Sequence, residues 1–330
     1  MTTAAVAVHS HRTGVLERYK SFVQQGMVLL VLALLFVFFS VMNPNFLTWG
    51  NISSLLLASV VTATQAIGLT FVIATGGIDL TPGMGMLFCM VVLALPLTAW
   101  GAPVWVGIIV GLLAGALLGT VNGVLISYIK MQPMIATLAM MLVCWGLALL
   151  FARAKTLSLR DVGGFTTIAM GQLVPGLYNG VIILVAIAIV AGLLMNKTVV
   201  GRYALAIGSN KEATRISGIN TRRWEVLAYT ICGVFTGISA IIMAAYLNSV
   251  PPNTGQSYEM YAIAAAVIGG TSLRGGRASV FGAVIGAVTI RTIYNGLTIL
   301  GFEDAWQKVV LGAVILIAVF VDIRRRGGEE

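Results

Sequence analysis

The chain of 330 residues is 58% hydrophobic and only 9% charged, with a mean hydropathy of +0.98; soluble domains carry about 25% charged residues. That balance excludes a water-soluble fold and places the chain in a bilayer. The net charge of +9 is scattered between apolar runs, without a basic stripe or interleaved aromatics, so it excludes a nucleic-acid surface and is read as membrane orientation.

Residues 1–22 form a polar tail, and no small-residue cleavage site follows the first apolar run, which is expected to persist as a helix. A spanning helix needs about 20 mostly apolar residues. Nine segments qualify: Val23–Met42, Leu55–Thr75, Met84–Trp100, Val104–Ile129, Met134–Ala152, Tyr178–Met195, Val226–Leu247, Val280–Ile299 and Trp306–Asp322. A tenth, Tyr258–Gly270, has a short core, YAIAAAVIGG, and is expected to be short, broken or re-entrant, the irregularity extending over 258–272. The expected fold is an all-α, polytopic membrane protein of about ten helices. It has one membrane domain over 23–322 and a C-terminal tail over 323–330.

Counting the short segment as a crossing puts both termini on one side. Lys130, Lys197, Arg202, Lys211, Arg215, Arg222, Arg223, Arg274, Arg277 and Arg324–Arg326 then share the inside with Arg12, Arg18 and Lys20. Outside remain only Arg153, Lys155 and Arg160. Loops rich in Lys and Arg face the cytoplasm, so both termini are expected to be cytoplasmic. The expected home is a bacterial inner membrane. Cys89, Cys144 and Cys232 all lie inside apolar runs and read as packing residues, not as a metal or disulfide set.

Chemistry-bearing motifs are sparse. There is no GxxxxGK[ST], HExxH, GxSxG or Cys/His cluster, and the histidines, His9 and His11, sit in the tail. No enzyme activity, resident cofactor or metal is expected. Asp79 is the main carboxylate near membrane depth, while Arg291 and Lys308 are the cations; Arg291 is read as bonding between helices and Lys308 as snorkelling outward. That leaves little for a proton relay, and the apolar interior fits a neutral substrate.

TGGIDLTPG (75–83) and IGGTSLRGG (268–276) share the pattern GGxxLxxG. Gly76, Gly77, Asp79, Gly83, Gly269, Gly270 and Gly276 are therefore candidates for a pair of interrupted helices in duplicated halves. The alternative is that these glycines only allow close helix packing.

GRYALAIGSNKEATRISGINTRRW (201–224) is polar and cationic amid apolar sequence. Ser209 and Glu212 have capping-box spacing, and Gly218 is a helix stop, predicting a helix of about two turns over 210–217. Isolated, such a helix is marginal in water, so it needs a docking surface; Ala213 and Ile216 share one face. A plain positive-inside loop is the other reading of these residues.

The stretch GRYALAIGSNKEATRISGINTRRWEVLAYTICG resembles the cytoplasmic coupling segment, here 196–224, of sugar ABC-importer permeases of the ribose, xylose, arabinose and galactose type. The resemblance continues through NPNFLTWGNI, AIGLTFVIATGGIDLTPG, NGVLISYIKMQPMIATLAMM and YEMYAIAAAVIGGTSLRGG, covering 43–322. Family members usually read ELDAIAAVVIGGTSLxGG in the last block; here Tyr261 stands for the aspartate and Arg274 for a small residue. The resemblance implies a permease dimer with itself or a sister permease. It also implies a cytoplasmic ATPase subunit carrying ATP and Mg, and a periplasmic solute-binding protein. Gly201, Arg202, Gly208, Asn210, Ala213, Ser217 and Gly218 match the coupling segment.

A sugar crossing apolar helices must exchange water for side-chain hydrogen bonds, since unpaired hydroxyls are costly there. The polar candidates are Thr62, Thr64, Gln65, Thr70, Asn122, Thr137 and Tyr258; the threonines can equally bond their own helices, while Gln65 and Asn122 carry both donors and acceptors. Outside, Glu303 and Asp304 are candidates for binding-protein docking. The expected function is ATP-driven import of a monosaccharide or polyol. A related ABC permease for a branched-chain amino acid, nucleoside or signal molecule, or an ion-coupled secondary carrier, are the alternatives.

Overall fold

The computed structural model describes residues 26–326; the expected N-terminal tail, 1–22, and the last four residues of the C-terminal tail lie outside them. The chain enters through α1 (Gly26–Met42) and a 3-10 turn (Pro44–Leu47). It continues through α2 (Trp49–Ala74), α3 (Pro82–Ala99), α4 (Val104–Ser127) and α5 (Pro133–Phe151). After α6 (Thr167–Met170) come α7 (Asn179–Lys197), α8 (Val199–Ser209), α9 (Lys211–Ile216) and α10 (Thr221–Leu247). The chain ends in α11 (Tyr258–Ile268), α12 (Val280–Ile299) and α13 (Asp304–Arg326). Among the described residues, α2, α3, α4, α5, α7, α10 and α12 are long and apolar enough to cross a membrane. In lipid a backbone must satisfy its own polar groups, which is why these apolar runs close into helices.

The short segment is short in fact. The 11 residues of α11 reach about 16 Å at 1.5 Å per residue, half of a bilayer core of about 30 Å. It begins after Ser257, whose φ is +68°, and ends at Gly269, followed by a loop that returns the chain to α12. Outside the helices, β1 (Leu157–Ser158) and β2 (Ser249–Val250) pair antiparallel, Leu157 opposite Val250, tying the loop after α5 to the loop after α10.

Burial separates the helices into two classes. The apolar window of α2 is 89% buried and forms the centre, whereas those of α5 and α7 are only 22% buried. The exposed side chains of α4, α5 and α7 are large and apolar, Leu113, Leu117, Leu142, Leu150, Ile189 and Leu193 among them. An apolar belt of that size is the surface of a protein solvated by lipid.

Lipid tails are as apolar as leucine, so burial of apolar area does not drive helix association there; close packing does. In α4 a glycine recurs every fourth residue, at Gly107, Gly111, Gly115, Gly119 and Gly123, forming one stripe. Gly115, Gly119 and Gly123 meet α10 backbone to backbone, while Gly107 faces Leu93 and Leu97 of α3. A Cβ on Gly115 would overlap the Gly233 carbonyl and lie 2.9 Å from the Gly237 nitrogen; one on Gly119 would overlap the Tyr229 carbonyl. Gly233 and Gly237 return the contact from the α10 side, against Gly115 and Gly111. A hydrogen bond of 2.9 Å between the Thr120 and Thr230 hydroxyls fixes the register. Phe71 of α2 stacks on Phe235 of α10 at 6.3 Å.

Candidate functional site

The cationic stretch folds as two helices joined at a corner, not one. Thr198 ends α7 and caps α8: its hydroxyl accepts from the Val200 amide at 3.2 Å and donates to the Leu194 carbonyl at 2.6 Å. Gly201 lies against the Met195 backbone, where a side chain would not fit. Tyr203 of α8 meets Trp224 of α10 edge-on at 4.7 Å.

The expected Ser209–Glu212 capping box does not form. The helix of α8 runs through Ser209, so its backbone is helical, whereas an N-cap needs extended backbone. Asn210, with φ −159° and ψ 99°, is the cap, and its Oδ1 accepts from the Ala213 amide at 2.9 Å. Glu212 instead takes two bonds from Arg215, at 3.1 and 2.5 Å. Those bonds hold the Glu212 carboxyl below its usual range and raise Arg215. The pair is therefore complete at neutral pH and is lost as pH falls through that lowered value. The stop is where the sequence puts it: Gly218 has φ +85°, left-handed, and the Ser217 hydroxyl donates to the Ala213 carbonyl at 2.9 Å.

The α9 helix is anchored by one side and open on the other. Thr214 is buried, and Lys211 pairs with the buried Glu225 of α10 at 2.5 Å. Ala213, Arg215 and Ile216 face out, with Ile216 76% exposed. Arg202 is also exposed, on α8.

The other end of α8 is wedged into the body. A Cβ on Gly208 would overlap the Ala74 carbonyl and the Gly276 nitrogen and lie 2.9 Å from the Gly275 Cα. The Gly276 amide itself donates to the Ala74 carbonyl at 3.0 Å. Three segments meet there: the end of α2 entering TGGIDLTPG, the loop closing TSLRGG, and the cationic stretch. Gly76, Gly270, Gly275 and Gly276 have φ of +81°, +96°, +84° and +74°, which L side chains rarely adopt. Gly77, Gly83 and Gly269 instead serve close approach, to the Tyr229 hydroxyl, to Glu259 and Gly255, and to Gly282. Asp79 is buried and accepts from the Thr81 amide at 2.9 Å.

Two cavities flank the centre of the bundle. One, of about 590 Å³, is walled by Thr75, Gly76, Ser127, Gln132, Lys211 and Glu225 and adjoins α9. The other, of about 720 Å³, lies against Ser54, Tyr258, Tyr261, Arg291, Tyr294 and Asp304. Of the path candidates Tyr258 lines one of these two cavities. Gln65 is buried and donates to the Pro82 carbonyl at 3.2 Å and to Met86 Sδ at 3.3 Å. Asn122 donates to Thr81 at 2.6 Å, and the Thr81 hydroxyl donates to the Thr137 carbonyl at 3.3 Å. Thr64, Thr70 and Thr137 donate back into their own helices, at 2.8, 2.8 and 2.9 Å. Gln65 and Thr70 lie along α2 between Thr62, bonded to Arg291 of the second cavity, and Thr75 of the first. They sit in the closed partition, and Gln65 Oε1 and Asn122 Oδ1 have no partner there.

The second cavity holds what sequence reading left undeveloped. Arg291 does bond between helices, Nε donating to Thr62 at 2.7 Å, but it also lies over three rings: Tyr258 at 4.6 Å, Tyr261 at 5.5 Å and Tyr294 at 6.0 Å. The three-residue spacings Tyr258–Tyr261 and Arg291–Tyr294 carried that signal. At the rim Asp304 pairs with Lys308 at 2.8 Å and accepts from Tyr294 at 3.1 Å, while Glu303 is exposed. Both docking candidates are thus exposed, and Asp304 is in addition engaged by Lys308 and Tyr294.

Residues 51–319 match the family described as the permease component of the branched-chain amino acid transport system. The chain belongs to this family. The permease is 39% identical over 316 residues to the ribose import permease of Bacillus subtilis, covering 96% of this chain and 95% of the relative. It is 34% identical over 331 residues to the ribose import permease of Escherichia coli K12, covering 99% and 100%. The galactose/methyl galactoside import permease of Salmonella typhimurium is 33% identical over 324 residues, covering 93% and 96%. No solved structure matches the permease.

Proposed function

We propose that this permease is the membrane-spanning subunit of an ABC importer that carries a monosaccharide or polyol into the cell. It crosses the bacterial inner membrane ten times with both termini cytoplasmic, counting α1, α11 and α13 as crossings; the charge asymmetry of the loops supports that topology. A cytoplasmic ATPase subunit, holding ATP and Mg, takes the exposed face of α9 into a cleft. A periplasmic binding protein delivers the solute, with Glu303 among the residues it meets, and a second permease copy or sister permease completes the path. Sugar is favoured over an amino acid by the relatives above, which are ribose and galactose import permeases across nearly their whole length.

One observation carries the reading: Gly208 wedges the coupling stretch against Ala74, where the first glycine loop begins, and Gly275–Gly276, where the second ends. A displacement of α9 is delivered through α8 to the inner ends of α2 and of the loop before α12. Coupling then requires that the ATPase dock differently on the two states of that junction. The cavity of about 590 Å³ becomes the cytoplasmic vestibule, the cavity of about 720 Å³ the periplasmic one, and Gln65, Thr70, Asn122 and Thr137 the gate between them.

The test is sugar uptake into proteoliposomes holding the permease with its ATPase partner and binding protein. The reading expects uptake that requires ATP hydrolysis and survives collapse of proton and sodium gradients. Uptake that follows an ion gradient with no nucleotide would return the chain to the secondary carriers.

A further inference from the structure

The outer cavity ends on a guanidinium whose hydrogen bonding is incomplete. Arg291 is 8% exposed, and of its donors Nε is taken by Thr62, while Nη2 is buried without a partner. Among the described residues no carboxylate lies within ion-pair distance of it. The acid at the rim, Asp304, is neutralised by Lys308. The acid nearest in sequence to the aromatic floor, Glu259, packs on the other side of α11, against Gly83. The cavity therefore carries one uncompensated positive charge.

A buried, unpaired cation is expensive, and intramembrane arginines are usually paired. The faces of Tyr258, Tyr261 and Tyr294 offset part of the cost through cation–π attraction. They cannot accept the remaining N–H bonds in the guanidinium plane. A carboxylate can, and it brings the missing charge. A neutral sugar hydroxyl would accept one such bond and leave the charge uncompensated.

We infer that the outer cavity binds a sugar acid, the carboxylate on the Arg291 guanidinium and the hydroxyl-bearing carbons over the tyrosine floor. This rests on the importer reading and names its substrate class. Tyr261 is part of the same device: its ring lies 5.5 Å from the guanidinium and brings no counter-charge.

The test is the thermal stabilisation of the purified permease by D-gluconate, D-glucose and acetate at matched ionic strength. Gluconate is expected to act at concentrations at least about tenfold lower than glucose or acetate. The preference should shrink in Arg291→Lys, which keeps the charge but not the planar fork, and vanish in Arg291→Gln. Equal action of glucose, equal action of acetate, or an undiminished preference in Arg291→Gln each overturns the assignment. The same preparations, reconstituted with the ATPase partner, separate the two claims. ATP-dependent import that prefers glucose overturns the sugar-acid site alone; gluconate binding with no ATP-dependent import keeps the site and overturns the importer reading.

Discussion

Gly115→Leu is expected to remove most folded permease from the membrane, whereas Gly146→Leu leaves its level unchanged. A Cβ on Gly115 would fall on the backbone of Gly233 and Gly237, while one on Gly146 meets nothing within 4 Å. Overpacking a core ordinarily costs about 1–3 kcal/mol, because neighbouring side chains can rotate away. Here the neighbours are backbone atoms of α10, which cannot. The α4–α10 contact is also locked by its reverse, Gly237 against Gly111, and by the Thr120–Thr230 bond. Separating the helices would break all of these at once. A loss of more than about 3 kcal/mol follows, about a hundredfold in the ratio of folded to unfolded chain. Fluorescence-detected size-exclusion chromatography of tagged variants measures it. Equal monodisperse yields for the two variants would show that the stripe does not hold α4 to α10.

Gly208→Val is expected to separate binding from transport. The substitution puts a branched side chain where Ala74, Gly275 and Gly276 now touch α8, so the helix must lift from the junction. The contact face of α9 is unaltered, because Asn210 still caps it and Lys211 still pairs with Glu225. The ATPase partner should remain bound while ATP-driven uptake falls at least about tenfold, the coupling energy of a small allosteric link. Gly192→Val, on a part of α7 where a Cβ meets nothing, is the control. Unimpaired uptake in Gly208→Val would remove the junction from the mechanism.

How much of this the sequence discloses depends on the range of the interaction. The helices are legible because lipid forces any long apolar run to satisfy its own backbone. The shortness of α11 is legible from its length, and Gly218 from the stop it imposes. Locally degenerate signals mislead by one residue: Ser209 and Asn210 are both good caps, and only the extent of α8 decides between them. The helix α8 does carry a helical signal, its buried residues Gly201, Ala204 and Ile207 recurring every third position, but its two glycines read as loop punctuation. The four-residue glycine repeat of α4 stands in the sequence, but nothing local names α10 as its partner. Arg291 and Thr62 are 229 residues apart, and their bond belongs to the assembled bundle alone. The path candidates show the same limit, since a buried Gln65 reads alike whether it lines a cavity or closes one.

The central claim is that α9 docks an ATPase. The most direct measurement is a pull-down of the tagged permease from detergent-solubilised host membrane, alongside a variant with residues 210–217 replaced by a Gly/Ser linker. The account predicts that an ATPase subunit co-purifies with the permease and is lost with the variant, although both are folded. A permease that purifies without an ATPase, or holds one equally well through the linker, would contradict it.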